Sequence, residues 1–147
     1  MNKLEGDAAL LFAELGNDEP AALRDIFAQV NGFFSAFHAK AGELSGRRSE
    51  CPCDACQRIR DLRLKAIPHR GAIAFRKIRQ FDEMAGEDVI LVHRLLKNTL
   101  PAHEYIMVTE AFYRQIEESP EMAGVLHEEV YEDLGPVRAR VFFPSTE

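Results

Sequence analysis

The chain has 147 residues, 46% apolar and 29% charged. That is long enough to bury roughly 68–70% of the surface its unfolded form exposes, and too apolar for a disordered polymer. Eighteen Lys and Arg against 24 Asp and Glu give a net charge of −6, which argues against a general binder of nucleic acid or of membrane surfaces, since those carry a clustered basic excess.

The N-terminus, Met1 to Asp7, carries carboxylates where a secretory leader carries positive charge, so no leader is read there. No apolar run approaches the roughly 20 residues that span a bilayer. Gly6-Asp7 is a turn dipeptide, and the apolar run Ala8–Ala13 after it predicts a returning strand. Asn17-Asp18-Glu19-Pro20 predicts a helix start. Leu23, Ile26, Phe27, Val30, Phe34 and Phe37 then recur at helical spacing, predicting a helix to about Ala39. Phe33, Phe34 and Phe37 are expected in the core. Residues Gly42 to Ser49 read as a loop.

Cys51-Pro52-Cys53-Asp54-Ala55-Cys56 follows, with Asp54 expected to cap a short helical turn. An odd number of cysteines in one short cluster is no disulfide framework, and a reducing cytoplasm is the simpler compartment. The cluster offers three soft ligands for zinc, with His38 or His69 as a fourth. Free thiols and redox-linked pairing are the competing readings.

Leu62 to His69 alternates apolar and polar, Arg70-Gly71 supplies a turn, and Ala72 to Ile78 reads as the returning strand. Gly86-Glu87-Asp88 predicts a second helix through about Asn98, with Pro101 beyond its end. Tyr105 to Val108 predicts a strand, and Thr109-Glu110 a third helix with Ala111, Phe112 and Ile116 as its apolar face. Leu126 to Phe143 reads as a final hairpin about Leu134-Gly135-Pro136. The order ββ, α, ββ, α, β, α, ββ predicts an α+β sandwich with a largely antiparallel sheet.

Four segments together resemble the class III nucleotidyl (adenylate and guanylate) cyclase domain. They are Lys3-Leu4-Glu5-Gly6-Asp7 with its following strand, Leu64 to Ala74 around His69 and Gly71, Gly86 to Leu95, and Tyr105 to Ala111. The chain is closer still to an uncharacterised bacterial branch of that superfamily, through Cys51 to Cys56 and Val92-His93-Arg94-Leu95-Leu96-Lys97-Asn98. The resemblance implies a ferredoxin-like, cyclase-like sandwich over residues 1–147. By the same resemblance the family's first strand and first helices, with one of its two metal-binding aspartates, have no counterpart in residues 1–147, and three explanations are open: a start upstream, a second copy of the chain that fills the gap, or a rearranged remnant.

Cyclisation of a nucleoside triphosphate is an in-line attack of the ribose 3′-hydroxyl on the α-phosphate. It calls for two divalent ions and a cation to meet the developing charge. By resemblance Asp7 is the second metal aspartate, for Mg²⁺ or Mn²⁺, and Arg94 is the transition-state arginine. Lys3 and Glu83 are the pair that contacts a purine edge. Read as ordinary surface chemistry, Asp7 is a turn carboxylate, Lys3 and Glu83 are solvated charges, and Arg94 is a helix-surface ion pair. One departure matters most. The asparagine that the family places four residues before its arginine, to orient the ribose, is Ile90 here, and an aliphatic chain cannot hydrogen-bond a sugar.

The expectation is therefore a cyclase-like domain, catalytically inactive as it stands, with a regulatory or ligand-binding role, a possible nucleotide ligand and a homodimeric state. Two alternatives stand beside it. One is an active purine nucleotidyl cyclase whose start lies upstream. The other is a zinc- or thiol-dependent binding protein built on Cys51, Cys53 and Cys56.

Overall fold

A computed structural model describes residues 3–116 and 123–144; for residues 3–5 and for Phe81 it describes the backbone alone. The elements are β1 (Lys3–Glu5), β2 (Ala8–Leu10), α1 (Glu19–Arg47), α2 (Asp54–Gln57), a 3-10 turn (Ile59–Asp61), β3 (Lys65–Ala66), β4 (Ala74–Ile78), β5 (Phe81–Ala85), α3 (Glu87–Leu95), β6 (Tyr105–Thr109), α4 (Glu110–Tyr113), β7 (Val125–Tyr131) and β8 (Gly135–Phe142). The chain is α+β, as its pattern predicts.

The main sheet has the order β3-β6-β8-β7. β3 runs parallel to β6, and the other pairs are antiparallel. Tyr105 to Thr109 is buried at every position, which is what a central strand with helices on both faces requires. On one face Ile106 and Val108 pack with Leu23 and Phe34 of α1 and with Phe112, Tyr113 and Ile116 at and after α4. Phe27 meets Phe142 edge to face at 5.2 Å. On the other face Tyr105, Met107, Ala139 and Val141 pack with Leu95, and Leu91 closes the side of α3. Alternation along β6 thus feeds two separate clusters.

α1 begins where the sequence places it, with the Asp18 carboxylate accepting from the Ala21 N–H at 3.1 Å and Pro in the first turn. It runs past Ala39 to Arg47, through the stretch expected to be a loop. Lys40 and Arg47 both pair with Glu43 at helical spacing. Arg60 Nε donates to Ser45 Oγ at 2.9 Å, so the 3-10 turn supports this last part of the helix. Phe34 is buried and Phe37 half-buried, but Phe33 lies on the solvent side, so the expected phenylalanine cluster is split by the helix.

The expected hairpin of residues 62–69 with 72–78 does not form. β3 pairs with β6 instead, and β4 pairs with β5 through the two-residue turn Arg79-Gln80, where Arg79 has φ +57°. The cause is local. Arg70 is bound to Glu19 at 2.7 Å, and the Ala72 N–H donates to Asp88 at 2.7 Å, so the chain leaves the sheet at Arg70-Gly71 rather than reversing. β5 has no Asn-Gly or Asp-Gly signal before it, which hides the turn from sequence reasoning. Other differences are smaller. β2 ends at Leu10, α3 at Leu95, and Ala111 is exposed while Tyr113 takes its place in the core. The final hairpin forms as expected, with Gly135 at φ +70° closing its turn.

Gly6-Asp7 is the turn of β1 and β2, a two-stranded ribbon separate from the main sheet among the described residues. The Gly6-Asp7 turn and the Arg70-Gly71 segment are therefore not neighbours in one sheet.

Candidate functional site

The residues that converge most closely are the three cysteines. Pro52 biases Cys51 toward extended backbone, and Cys53 is extended too, at φ −73° and ψ 145°. Cys53 then serves as the N-cap of α2, in place of Asp54, and one turn brings Cys56 back beside it. The turn is tied at both ends. The Cys51 N–H donates to Arg48 O at 3.0 Å, Gln57 Nε2 donates to Cys51 O at 2.7 Å, and the Gln57 N–H donates to Cys53 O at 3.2 Å.

The sulfurs of Cys51, Cys53 and Cys56 all lie within 4.8 Å of one another, with Cys51 and Cys53 at 3.4 Å. All three thiols are free, Cys53 exposed and the others partly so. The backbone N–H of Cys56, then the Cys51 and Cys56 thiols, lower Cys53 to about 7. The converse holds for Cys56. Its neighbours Cys53 and Cys51 favour its protonated form and push it up to about 11. Cys56 also lines a shallow cleft of about 360 Å³ with Ser45, Gly46, Arg48, Ser49, Gln57 and Arg60.

Neither expected histidine joins the cysteines. His38 Nε2 meets Glu104 Oε1 at 2.7 Å, and His69 meets Asp88 and Thr109. The metal-donor group among the described residues consists of the three cysteines alone. They fit a soft ion by donor type.

Of the residues expected to handle a nucleotide, the structure describes Asp7, Glu83 and Arg94 with their side chains. Asp7 is an exposed turn residue and belongs to no group of three metal donors among the described residues. Lys3 lies on β1, and its side chain is outside the described ones. Glu83 sits on β5, half-buried, in register with Arg76. Arg94 Nη2 donates to Asp133 Oδ2 at 2.8 Å, an ion pair between α3 and the β7–β8 turn with both side chains about half exposed. Ile90, one turn earlier, is exposed.

Sequence reasoning missed a buried carboxylate on β7. Glu129 Oε1 accepts from the Thr99 N–H at 2.7 Å, from Thr99 Oγ1 at 2.8 Å and from His127 Nε2 at 2.6 Å. Burial pushes its carboxyl up, but the Thr99 and His127 bonds outweigh that and hold it below the usual value. The alternation of β7 was the available signal, because Glu129 shares a face with His127 and Tyr131.

A family described as "Protein of unknown function (DUF2652)" matches residues 1–105. The chain is also 35% identical, over 123 residues, to "Uncharacterized protein Rv2561/Rv2562" of Mycobacterium tuberculosis (strain ATCC 25618 / H37Rv). That match covers 80% of this chain and 53% of the mycobacterial protein, so the chain spans about half the length of that relative. No solved structure matches. The chain belongs to the DUF2652 family.

Proposed function

We propose that this DUF2652 member is a cyclase-like domain that binds a ligand, a purine nucleotide by resemblance, without cyclising it. The observation that carries this reading is at Arg94. Its guanidinium is held by Asp133 at 2.8 Å, and the position one turn earlier is the aliphatic, exposed Ile90. A cation already paired with a carboxylate, with no sugar-orienting amide beside it, is poorly placed to stabilise a transition state, which supports the non-cyclising half of this reading; the ligand itself rests on the resemblance. The reducing cytoplasm is the compartment this reading uses, and three free thiols agree with it. Among the described residues no helix is long and apolar enough to cross a membrane.

The same reading pairs two copies of the chain. What supports it is β7, an edge strand of the main sheet with Val125, Leu126 and Val130 exposed.

The test is to titrate the purified chain with ATP and GTP in the presence of Mn²⁺, and to assay cyclic product in parallel. Saturable binding without product is expected. Cyclic nucleotide that disappears in Arg94→Ala would establish the active-cyclase alternative, and absence of binding to either nucleotide would end the ligand reading.

A second reading, a zinc- or thiol-dependent binding protein, is favoured by the convergence of Cys51, Cys53 and Cys56. Metal analysis of the purified protein tests it. No zinc, with stability unchanged after replacing the cysteines by serine, removes it.

A further inference from the structure

Three sulfurs are one donor short of a closed zinc site. A Zn–S bond of about 2.3 Å places tetrahedral sulfurs about 3.8 Å apart. The observed separations, 3.4 Å for Cys51 and Cys53 and no more than 4.8 Å for any pair, need shifts of under about 1 Å to reach that value. No fourth donor of this chain stands beside them among the described residues, since His38 is held by Glu104 and His69 by Asp88. An ion here would keep one position open.

The surroundings of that position are distinctive. Cys56 belongs both to the sulfur cluster and to the wall of the cleft between α1 and α2. The same wall carries two guanidinium groups, Arg48 and Arg60, and two hydroxyls, Ser45 and Ser49. Arg60 is fixed by its bond to Ser45 at 2.9 Å. A divalent ion held by three thiolates leaves a centre of net charge −1, which the two arginines more than balance. An anionic donor can therefore enter without a charge penalty, and the cleft supplies hydrogen bonds for the rest of it.

We propose that Cys51, Cys53 and Cys56 hold one zinc ion with an open fourth position, and that the Arg48–Arg60 cleft seats a small anionic ligand that completes its coordination. The cysteines are then a binding site for an anionic thiolate or carboxylate, with zinc as the anchor. This rests on the metal reading of the cysteines.

The full chain, reduced and stripped of metal, is titrated first with Zn²⁺ and then with Co²⁺ as a spectroscopic probe. One ion per chain is expected, with all three thiols protected from alkylation. Absence of uptake, or protection of fewer than three thiols, overturns both the metal reading and this inference. Mercaptoacetate is then added to the Co²⁺ form. A shift of the visible bands is expected, saturating with ligand and weakened about fivefold in Arg60→Gln. Uptake of cobalt with no spectral response to mercaptoacetate means a closed site, and overturns this inference alone. Because Arg60→Gln leaves every sulfur in place, an unchanged mercaptoacetate affinity also counts against the cleft.

Discussion

His69 Nε2 and Asp88 Oδ1 lie 2.8 Å apart, joining the segment after β3 to the first turn of α3. With Asp88 ionised, Nε2–H donates to it, and in the neutral ring Nδ1 accepts from the Thr109 hydroxyl at 2.8 Å. Asp88 Oδ2 also accepts from the Ala72 N–H at 2.7 Å. One carboxylate thus fixes the chain where it leaves the main sheet and turns toward β4.

That arrangement sets an acid limit. Burial raises the Asp88 carboxyl, but the His69 bond, the Ala72 N–H and the charge on His69 lower it further, to below its ordinary 3.8. A folded value under the unfolded one means the stabilisation is complete above the unfolded value and is lost as pH falls through the folded one. Glu129 behaves in the same sense from an ordinary 4.5. Stability measured by urea unfolding is expected to be flat near neutrality and to fall below about pH 4, less steeply in Asp88→Asn. A wild-type profile identical to that of Asp88→Asn would contradict it.

Gly71 is expected to resist substitution. A Cβ there would overlap the Asp88 carboxylate, which cannot swing away without releasing His69 and Ala72. Gly71→Ala should cost about 1–3 kcal/mol in thermal or urea unfolding. If the cost arises from Asp88, Asp88→Ala should cost a similar amount, and the double variant less than the sum.

Glu129 and Tyr131 make opposite predictions on one strand face. Glu129→Ala leaves the Thr99 N–H, its hydroxyl and His127 without their acceptor, at a cost of about 1–3 kcal/mol. The Tyr131 hydroxyl is buried with no hydrogen-bond partner among the described residues, and burial followed by the Glu129 charge raises it. Tyr131→Phe is expected to be neutral or to stabilise by about 1 kcal/mol. Equilibrium unfolding of the two variants tests both signs.

Thiol reactivity should follow the ionisation order. Cys53, at about 7, is half thiolate at neutral pH, whereas Cys56, at about 11, is protonated. Mass spectrometry after brief iodoacetamide treatment at pH 7 should find the label on Cys53 before Cys56. Cys51→Ala removes one of the bonds that favour the Cys53 thiolate and should slow its labelling.

Val130 is the residue to change on the sheet edge. If two copies meet along β7, Val130→Lys should shift light-scattering mass from dimer to monomer without loss of folded signal. A wild-type chain that stays monomeric at every concentration would end the pairing proposal.

The sequence by itself determined the α+β class, the capped start of α1, the strand Tyr105–Val108, which the structure extends to Thr109, and the final hairpin. Each follows from short-range rules: a capping carboxylate before proline, an unbroken apolar run, and two alternating strands around Leu134-Gly135-Pro136. It also placed three sulfurs in one short turn, because their spacing allows little else. Only the tertiary structure decided that β3 joins β6 and that β4 joins β5. That choice belongs to Arg70, Ala72 and Asp88, whose partners lie 16 to 51 residues away in sequence. Likewise, the partners of Arg94, His38 and His69 are set by which surfaces the packed helices bring together. Periodicity fixes which way a side chain points, but a pair of distant charges meets only once the core beneath them has formed.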